Sequence, residues 1–298
     1  DPATKVGYTN VGLMGADVFV LTLKDMKREG WADKAASLEA RMKTRTDRWA
    51  AQAYPFGSEM AWDSTGQEEV FAWTKYFGLE PQSQSALSSI VGYMPLIPHW
   101  GYNGSARRYW DFIYAGAPGS SYERQLHHYG SGLNAIPVLA QYRQQPDDLH
   151  LLRIGYAGTM GALTNIDQEG FASVAFHSFP ETLKWDAYSG DYGPNFLGHA
   201  LNAATYLINH PEFGWQAFGG NVSTTGTGVT VHVTDSLRKR IYIAPAGLYL
   251  TLDAGQFERV DVDTRTMAVR VTLAPASVAT PRARLRVEQP FTPVGGGN

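Results

Sequence analysis

The spacing of apolar residues divides this chain into a long helical part and a shorter part of alternating strands. From Asn10 to about Gly30, apolar side chains recur every three or four residues, and the same spacing resumes from about Ala32 to Ala51. A link this short between two helices predicts an antiparallel helical hairpin. Equivalent spacing predicts further helices near residues 67–77, 82–94, 105–115, 131–144, 147–161, 168–177 and 195–208.

The connections between these predicted helices alternate in length and character. Some are tight, as at residues 145–147, and others are long and rich in glycine, proline, tryptophan, tyrosine and histidine. This alternation is typical of a ring of helical hairpins, in which one rim has short turns and the other carries the functional loops.

The pattern changes after about Gly219. Residues 229–233, 240–244, 248–252, 268–273 and 284–287 alternate polar with apolar side chains or are β-branched, and turn residues separate them, which predicts antiparallel strands. The sequence therefore predicts a mainly α protein with a C-terminal all-β part. An (α/α) toroid of helical hairpins, complete or incomplete, is expected over residues 1–219, and an antiparallel β-sandwich-like domain over residues 220–298.

Charge and cysteine content narrow the possible functions. The 298 residues carry a net charge of −3, and no basic stripe is interleaved with aromatic residues, so nucleic acid is not an expected partner. The absence of cysteine excludes disulfides, thiol catalysis and zinc–thiolate sites. No apolar run reaches the roughly 18 residues that a membrane-spanning helix needs, so no membrane association is predicted.

The chain begins with Asp1-Pro2 rather than with methionine. We expect it to be a mature or cleaved part of a longer protein, with the N-terminal fragment of the same precursor as a partner. The composition suits an exported protein as well as a cytosolic one, and a secreted or periplasmic location is predicted.

The stretch from Tyr54 to Gly78 carries the most informative local chemistry. It sets the carboxylates of Glu59, Asp63 and Glu68 and the indole of Trp62 in a Gly/Ser-rich loop that runs into an amphipathic helix. The sequence from Ser64 to Gln67 matches a capping box, so the helix is predicted to start just after Ser64. Asp63 would then lie at a helix N-terminus, where unpaired backbone N–H groups favour an anion.

Other predicted loops supply aromatic, acidic and imidazole side chains. These are His99, Trp100, Tyr102, Asn103 and Arg107 in one loop, His127, His128 and Tyr129 in a second, and Asp167 and Glu169 in a third. Sugar rings lie against aromatic faces, and their hydroxyls bind acids, amides, imidazoles and guanidinium groups. Glycosidic cleavage needs one protonated and one ionised carboxyl about 5–9.5 Å apart, and these loops contain enough acids to supply both.

Each of these side chains can also have a purely structural role. Loop aromatics can fill gaps between helices, and Asp167 can cap a helix that follows it. The His127-His128 pair suggests a metal, but metal sites usually need three or four converging ligands and no H-x-x-x-H spacing occurs. No metal and no cofactor are therefore predicted.

Several long motifs resemble a known family. They are WDSTGQEEVFAWTKYFG, IPHWGYNGSARRYWDFIY, RQLHHYGSGLNAIPVL, TNIDQEGFASVAFHSFPETLKWD and SGDYGPNFLGHALNAATY. From about Tyr54 to about Gly255 the chain is similar to domain of unknown function 5695, a six-hairpin-glycosidase-like family of large, mostly uncharacterised bacterial and fungal proteins. The resemblance implies an (α/α)-type toroid followed by a β domain, with this chain as the C-terminal part of a longer protein. It implies no agreed activity and no catalytic residues.

Together these observations favour a carbohydrate-active enzyme, most of all a glycoside hydrolase acting on a poly- or oligosaccharide. The expected acid/base pool is Glu59, Asp63, Asp167 and Glu169, and the expected substrate-binding residues are Trp62, His99, Trp100, Tyr102, Asn103, Arg107, His127, His128 and Tyr129. A polysaccharide lyase remains the alternative, with His128 or Tyr129 as the base and Asn103 and Arg107 on the uronate carboxyl. A non-catalytic glycan-binding fragment is the third possibility.

Overall fold

A computed structural model describes residues 15–51, 64–92, 125–126, 129–161, 176–177, 204–234, 238–276 and 282–290. The chain divides into two compact units. The helical unit comprises Asp1–Leu139 and Arg153–Ala200, and the β unit comprises Ala140–Leu152 and Leu201–Asn298. Among the described residues, no helix combines the length and apolar character needed to cross a membrane.

The described residues contain six α-helices: α1 (Ala16–Arg28), α2 (Ala32–Ala50), α3 (Ser64–Tyr76), α4 (Glu80–Gly92), α5 (Tyr129–Gln144) and α6 (Leu149–Gly161). Each coincides with a predicted helix, apart from shifts of a few residues at the ends. Gly30 and Gly78 end two of the tight turns with positive φ values of 76° and 69°, a conformation that glycine adopts without steric cost. The helix predicted near 105–115 lies outside the described residues.

Side-chain contacts show that consecutive helices of the helical unit run in opposite directions. On α2 and α3, Glu39 accepts a hydrogen bond from Tyr76 at 2.6 Å, and Arg45 pairs with Glu69. The residue number rises from 39 to 45 on α2 while it falls from 76 to 69 on α3, so the two helices are antiparallel. Lys75 reaches Glu80 at 2.7 Å across the next tight turn, so α3 and α4 form a hairpin as well.

The first and fifth helices fit the same alternation. The backbone N–H of Gly15, just before α1, donates to the Glu68 carboxylate at 3.2 Å, so α1 and α3 begin close together. Asn134, in the second turn of α5, donates to Gln67 at 3.1 Å, which places the start of α5 beside the start of α3. After the tight turn at residues 145–148, α6 returns along α5, and Gly155 packs against Leu139.

One end of the helical unit consequently gathers the starts of α1, α3 and α5 and the ends of α2 and α4. We call this the loop end, and define it by the terminal residues Ala16, Ala50, Ser64, Gly92 and Tyr129. The two tight turns α1–α2 and α3–α4 lie at the opposite end. The alternation of short and long connections predicted from the sequence is thus present among the described helices, whereas a closed toroid stays a prediction.

A compact apolar cluster holds the first three helices together. Ala16, Leu23, Ala35, Met42 and Trp73 are buried against one another, and their spacing gives each helix one apolar face. The Trp73 ring stacks on Phe77 with ring centroids 5.9 Å apart.

The described residues of the β unit form two sheets from nine strands: β3 (Thr205–His210), β4 (Gly214–Phe218), β5 (Gly220–Thr225), β6 (Gly228–Val233), β7 (Arg240–Ile243), β8 (Leu248–Leu252), β9 (Phe257–Asp263), β10 (Val269–Leu273) and β11 (Leu285–Glu288). The five-stranded sheet has the order β11-β8-β7-β3-β4, and the four-stranded sheet has the order β10-β9-β6-β5. All neighbours are antiparallel except β3 and β7, which are parallel. Two short strands of the helical unit, β1 (Gln125–Leu126) and β2 (Phe176–His177), also pair antiparallel.

The two sheets share one hydrophobic core. Leu207, Ile241 and Leu250 come from the five-stranded sheet, and Val231 and Val260 come from the four-stranded sheet. All five are buried, with at most 2 % of their surface exposed. The C-terminal region is therefore a two-sheet, mainly antiparallel structure, as the sequence predicted.

The predicted strands at 229–233, 240–244, 248–252, 268–273 and 284–287 are confirmed within one residue or so at each end. The helix predicted near 195–208 is wrong in its last part, because β3 begins at Thr205. Its run Thr-Tyr-Leu-Ile is buried at every position, and a continuous apolar run of this length does not distinguish a buried strand from a helix. The helix predicted near 168–177 is likewise wrong at its last two residues, which form β2.

The corner between α5 and α6 belongs to the β unit, and Arg143 anchors it. The guanidinium donates to the Tyr206 hydroxyl at 2.9 Å and lies 4.3 Å from the centre of the Tyr249 ring. The Tyr242 hydroxyl donates to the Arg143 carbonyl at 2.9 Å. Burial raises the pKa of Tyr206 to about 12, although the neighbouring guanidinium acts in the opposite direction, so this hydroxyl stays neutral.

Candidate functional site

The residues predicted to act on a saccharide lie almost entirely outside the described residues. This holds for Glu59, Trp62, Asp63, His99, Trp100, Tyr102, Asn103, Arg107, His127, His128, Asp167 and Glu169. Tyr129 is the first residue of α5, and only its backbone is described. Their assignments therefore stay predictions.

The described helices nevertheless show where these segments attach. Residues 52–63 connect the end of α2 to the start of α3, and residues 93–128 connect the end of α4 to the start of α5. Both attachments are at the loop end. Residues 162–175 follow α6, which runs back toward that same end because it is antiparallel to α5.

The most unusual feature at the loop end is a row of three buried polar residues on α3. Gln67, Glu68 and Glu69 are exposed by 0 %, 0 % and 1 %, respectively. Successive residues of an α-helix point about 100° apart, so neighbouring structure must surround this turn of α3 on several sides. Burying polar groups is costly unless each finds partners, so the partners of these three side chains show what the row does.

Gln67 joins α3 to α4 and α5. Its amide nitrogen lies 3.2 Å from Ser89 Oγ, and its amide oxygen accepts a hydrogen bond from Asn134 at 3.1 Å. Both ends of the Gln67 amide therefore bind side chains of other helices, and the capping box with Ser64 stays a prediction. The helix starts at Ser64, within one residue of the predicted start.

Glu68 joins α3 to the start of α1. One carboxylate oxygen accepts the Gly15 N–H at 3.2 Å, and the side chain has no exposed surface. Burial raises the pKa of Glu68 well above its ordinary value, and the nearby Asp17 carboxylate raises it further. The N–H groups at the start of α1 act in the opposite direction but are outweighed. Glu68 was predicted as a loop carboxylate, and the structure instead places it inside the helix.

Glu69 joins α3 to α2. Its carboxylate receives two hydrogen bonds from Arg45, one from Nε and one from Nη2 at 2.9 Å. The Glu69 side chain is 1 % exposed and that of Arg45 is 20 % exposed, so this two-pronged ion pair is largely removed from water.

The row therefore connects α3 to four other helices through three adjacent residues. We call Gln67, Glu68 and Glu69 the anchor row. Sequence reasoning did not identify it, although a signal was present. Three polar residues in succession precede the apolar run Val-Phe-Ala-Trp of the same helix, and a solvated helix face would instead space its polar residues three or four apart.

The described residues contain no group of three or more acidic or histidine side chains that could hold a metal ion. The anchor row holds helices in place and buries charged and polar groups. It holds a buried carboxyl, whose pKa burial raises, and an ion pair inside the helical unit, and it fixes the helix that begins directly after Asp63.

Comparison with known proteins identifies the family of the chain and nothing closer. Residues 2–297 match the family of unknown function DUF5695. Neither a curated protein nor a solved structure matches the chain. Because the match extends over nearly every residue, this chain belongs to the DUF5695 family.

Proposed function

We propose that this chain is part of a carbohydrate-active enzyme, a glycoside hydrolase that cleaves a poly- or oligosaccharide by general acid/base catalysis with two carboxyl groups. The observation that carries this proposal is the alternation of the helices. Every segment that contains a predicted catalytic or sugar-binding residue attaches at the loop end or follows a helix that runs toward it. Segments attached at one end of a helical scaffold can share a single cleft.

The anchor row strengthens this reasoning for the segment at residues 52–63. Catalytic groups need rigid support, because small displacements of a reacting group reduce the rate strongly. Asp63 directly precedes α3, and the anchor row fixes the first turns of α3 against four helices. A carboxylate at this position also gains from the positive end of the helix dipole.

The remaining elements of the proposal come from the sequence. They are a ring of helical hairpins, which the resemblance to six-hairpin glycosidases also implies, Asp167 and Glu169 as further members of the acid/base pool, and a secreted or periplasmic location. The aromatic residues Trp62 and Trp100 would stack on sugar rings beside the acids.

The test is a hydrolysis assay of the full chain on a panel of polysaccharides, measured as the release of reducing ends. We expect the Asp63→Asn and Glu59→Gln variants to retain the fold, and at least one of them to lose 10²-fold or more of the rate, as removal of a general acid or base does. Asp47→Asn is the matched control, because Asp47 is an exposed acid on α2 and pairs with Lys43 across one helical turn.

Two outcomes would contradict the proposal. Full activity of the Asp63→Asn/Glu59→Gln double variant would remove this segment from the chemistry. A product with the ultraviolet absorbance of an unsaturated uronate would show β-elimination, because hydrolysis forms no such double bond.

A further inference from the structure

The last strand of the β unit, β11, lies at an open edge of the five-stranded sheet. It pairs with β8 on one side, and no other described strand pairs with it. Val287 on β11 lies directly opposite Leu250, a residue of the core between the sheets, so the two side chains share a face. Leu250 is 2 % exposed, whereas Val287 is 58 % exposed and Leu285, on the same face of β11, is 37 % exposed. The core therefore ends at β8, and β11 carries an apolar face that the four-stranded sheet does not cover.

The open edge of β11 presents the backbone groups of every second residue. In an antiparallel ladder, successive residues of a strand bond alternately to one side and to the other. The N–H of Asp253 donates to the carbonyl of Arg284, just before β11, at 3.1 Å, so Arg284 bonds toward β8. By this alternation Arg286 bonds toward β8 as well. Leu285 and Val287 consequently direct their N–H and C=O groups to the open edge.

This edge has few of the features that normally prevent strand addition. Natural edge strands are often interrupted by a bulge or a proline, or place a charge where an incoming strand would pack. β10, an edge strand of the four-stranded sheet, shows such an interruption between Thr272 and Leu273. β11 pairs with β8 in one unbroken register, contains no proline, and has an exposed valine near its centre.

The charges of β11 select one register for a second copy of the same strand. A two-fold axis at Val287 would pair this residue with its own copy through the outward-pointing backbone groups. Arg286 would then lie opposite Glu288 of the second copy, and the reverse pair would form by symmetry, so opposite charges meet twice. The neighbouring registers that use the same backbone groups place Arg286 opposite Arg286 or Glu288 opposite Glu288, which is unfavourable.

These charges select the register and do not supply the main attraction. Arg286 already forms an ion pair with Asp253 at 2.9 Å within its own copy, which holds the guanidinium in place. The attraction would come from the backbone hydrogen bonds of the new ladder and from the contact of the two Val287 side chains at the axis.

We propose that β11 is a self-association edge, at which a second copy of this chain adds its own β11 in antiparallel orientation and joins the two five-stranded sheets into one. The strand has only four residues, so the contact should bury less than the roughly 1,200 Å² that stable complexes bury. The dimer should therefore be weak and form at micromolar concentrations or above. This inference does not depend on the proposed function.

The first test is sedimentation velocity of the full chain, from low micromolar to several hundred micromolar concentrations. We expect a reversible shift from monomer to dimer, and Val287→Lys should weaken the dimer by roughly tenfold or more, because it places two cations at the axis. Val287 is already exposed and its neighbours make the bonds to β8, so the variant should keep the urea midpoint of the wild type. Phe213→Lys is the matched control, because Phe213 is 60 % exposed in the turn between β3 and β4, and its loss should leave the dimer unchanged.

The second test maps the register with single cysteines, since the chain contains none of its own. The two Val287 Cα atoms would lie about 5.5 Å apart, within the range that a disulfide can bridge. The two Gln289 Cα atoms would lie about 14 Å apart along the strands. Under mild oxidation Val287→Cys should therefore crosslink rapidly, and Gln289→Cys and the control Phe213→Cys slowly.

Three results would overturn the proposal. A chain that stays monomeric at every concentration has no self-association edge, whether another segment covers β11 or leaves it open. A dimer that Val287→Lys and Phe213→Lys affect equally has its interface elsewhere. Equal crosslinking of Val287→Cys and Gln289→Cys would reject the register with Val287 on the axis.

Discussion

The ion pair between Arg45 and Glu69 should be a costly contact to break among the described residues of the helical unit. Arg45→Met removes the cation and leaves the Glu69 carboxylate, which is 1 % exposed, without its two-pronged partner. Removing one partner of a buried pair destabilises a protein by about 3–5 kcal/mol, because the remaining charge stays buried. At roughly 2–4 °C per kcal/mol for a unit of this size, the melting temperature should fall by about 6–20 °C.

The assay combines urea unfolding with amide hydrogen exchange along α3, because a chain with two units need not unfold in one step. Lys43→Met supplies the control. Its partner Asp47 sits one turn away on α2, both side chains are about half exposed, and such surface pairs contribute only ~0–1 kcal/mol.

A double variant separates the stability that the ion pair contributes from the destabilisation caused by burying one charge without its partner. Arg45→Met with Glu69→Leu buries no charge at all, so it should recover most of the stability that Arg45→Met loses. A loss below about 1 kcal/mol for Arg45→Met, no larger than that of the exposed Lys43 control, would refute the reasoning.

Four further substitutions test other parts of the structure. Gly155→Ala should destabilise the full chain by about 1–3 kcal/mol, because the added Cβ would come within 2.8 Å of Leu139 on α5. Gly132→Ala should stabilise the chain by up to about 1 kcal/mol, because nothing lies within 4 Å of its added Cβ and alanine favours a helix over glycine. The midpoints of urea unfolding measure both changes. Because burial raises the pKa of Glu68, its contribution to stability is fully present below the ordinary carboxyl pKa of 4.5 and is lost as pH rises from there through the raised folded-state pKa. Glu68→Gln should therefore flatten the decline in stability above pH 4.5 in a series of unfolding curves, and an unchanged decline would contradict this. Hydrogen bonds, first of all from Lys27, lower the pKa of Glu39. The stability that Glu39 contributes is therefore present above the ordinary carboxyl pKa of 4.5 and is lost as pH falls through the lowered folded-state pKa. Glu39→Gln should remove this loss of stability at acid pH.

Local pattern was sufficient to predict the helices, and the reason is their length. Each of the six described helices has at least 13 residues, which gives the apolar period several turns in which to repeat. Strands of four to seven residues give a weaker signal. β3 is buried almost throughout, and β4 is half-buried along its whole length. Neither strand therefore alternates polar with apolar residues as a strand with one solvent-exposed face does.

The anchor row was missed for a different reason. Its partners lie far away along the chain: Ser89 is 22 residues and Asn134 is 67 residues from Gln67, and Gly15 is 53 residues from Glu68. A capping box is a local explanation for a glutamine three residues after a serine, and nothing local distinguishes it from a glutamine that binds two distant helices. Buried polar contacts of this kind depend on the tertiary arrangement, which a local pattern does not contain.

The placement of the anchor row explains why polar rather than apolar residues hold this turn of α3. Apolar packing is not directional, and a helix held only by apolar contacts can rotate or slide by part of a residue at little cost. A rotation of about 100°, one residue, would bring each of Gln67, Glu68 and Glu69 opposite the wrong partner and would leave all three buried without hydrogen bonds. The row therefore specifies both the rotation and the axial position of α3. Since Asp63 is joined directly to the first residue of that helix, the same contacts fix the direction from which the preceding segment enters. Under the proposed function this segment presents acids to a substrate, and a unique direction of entry is what that task requires.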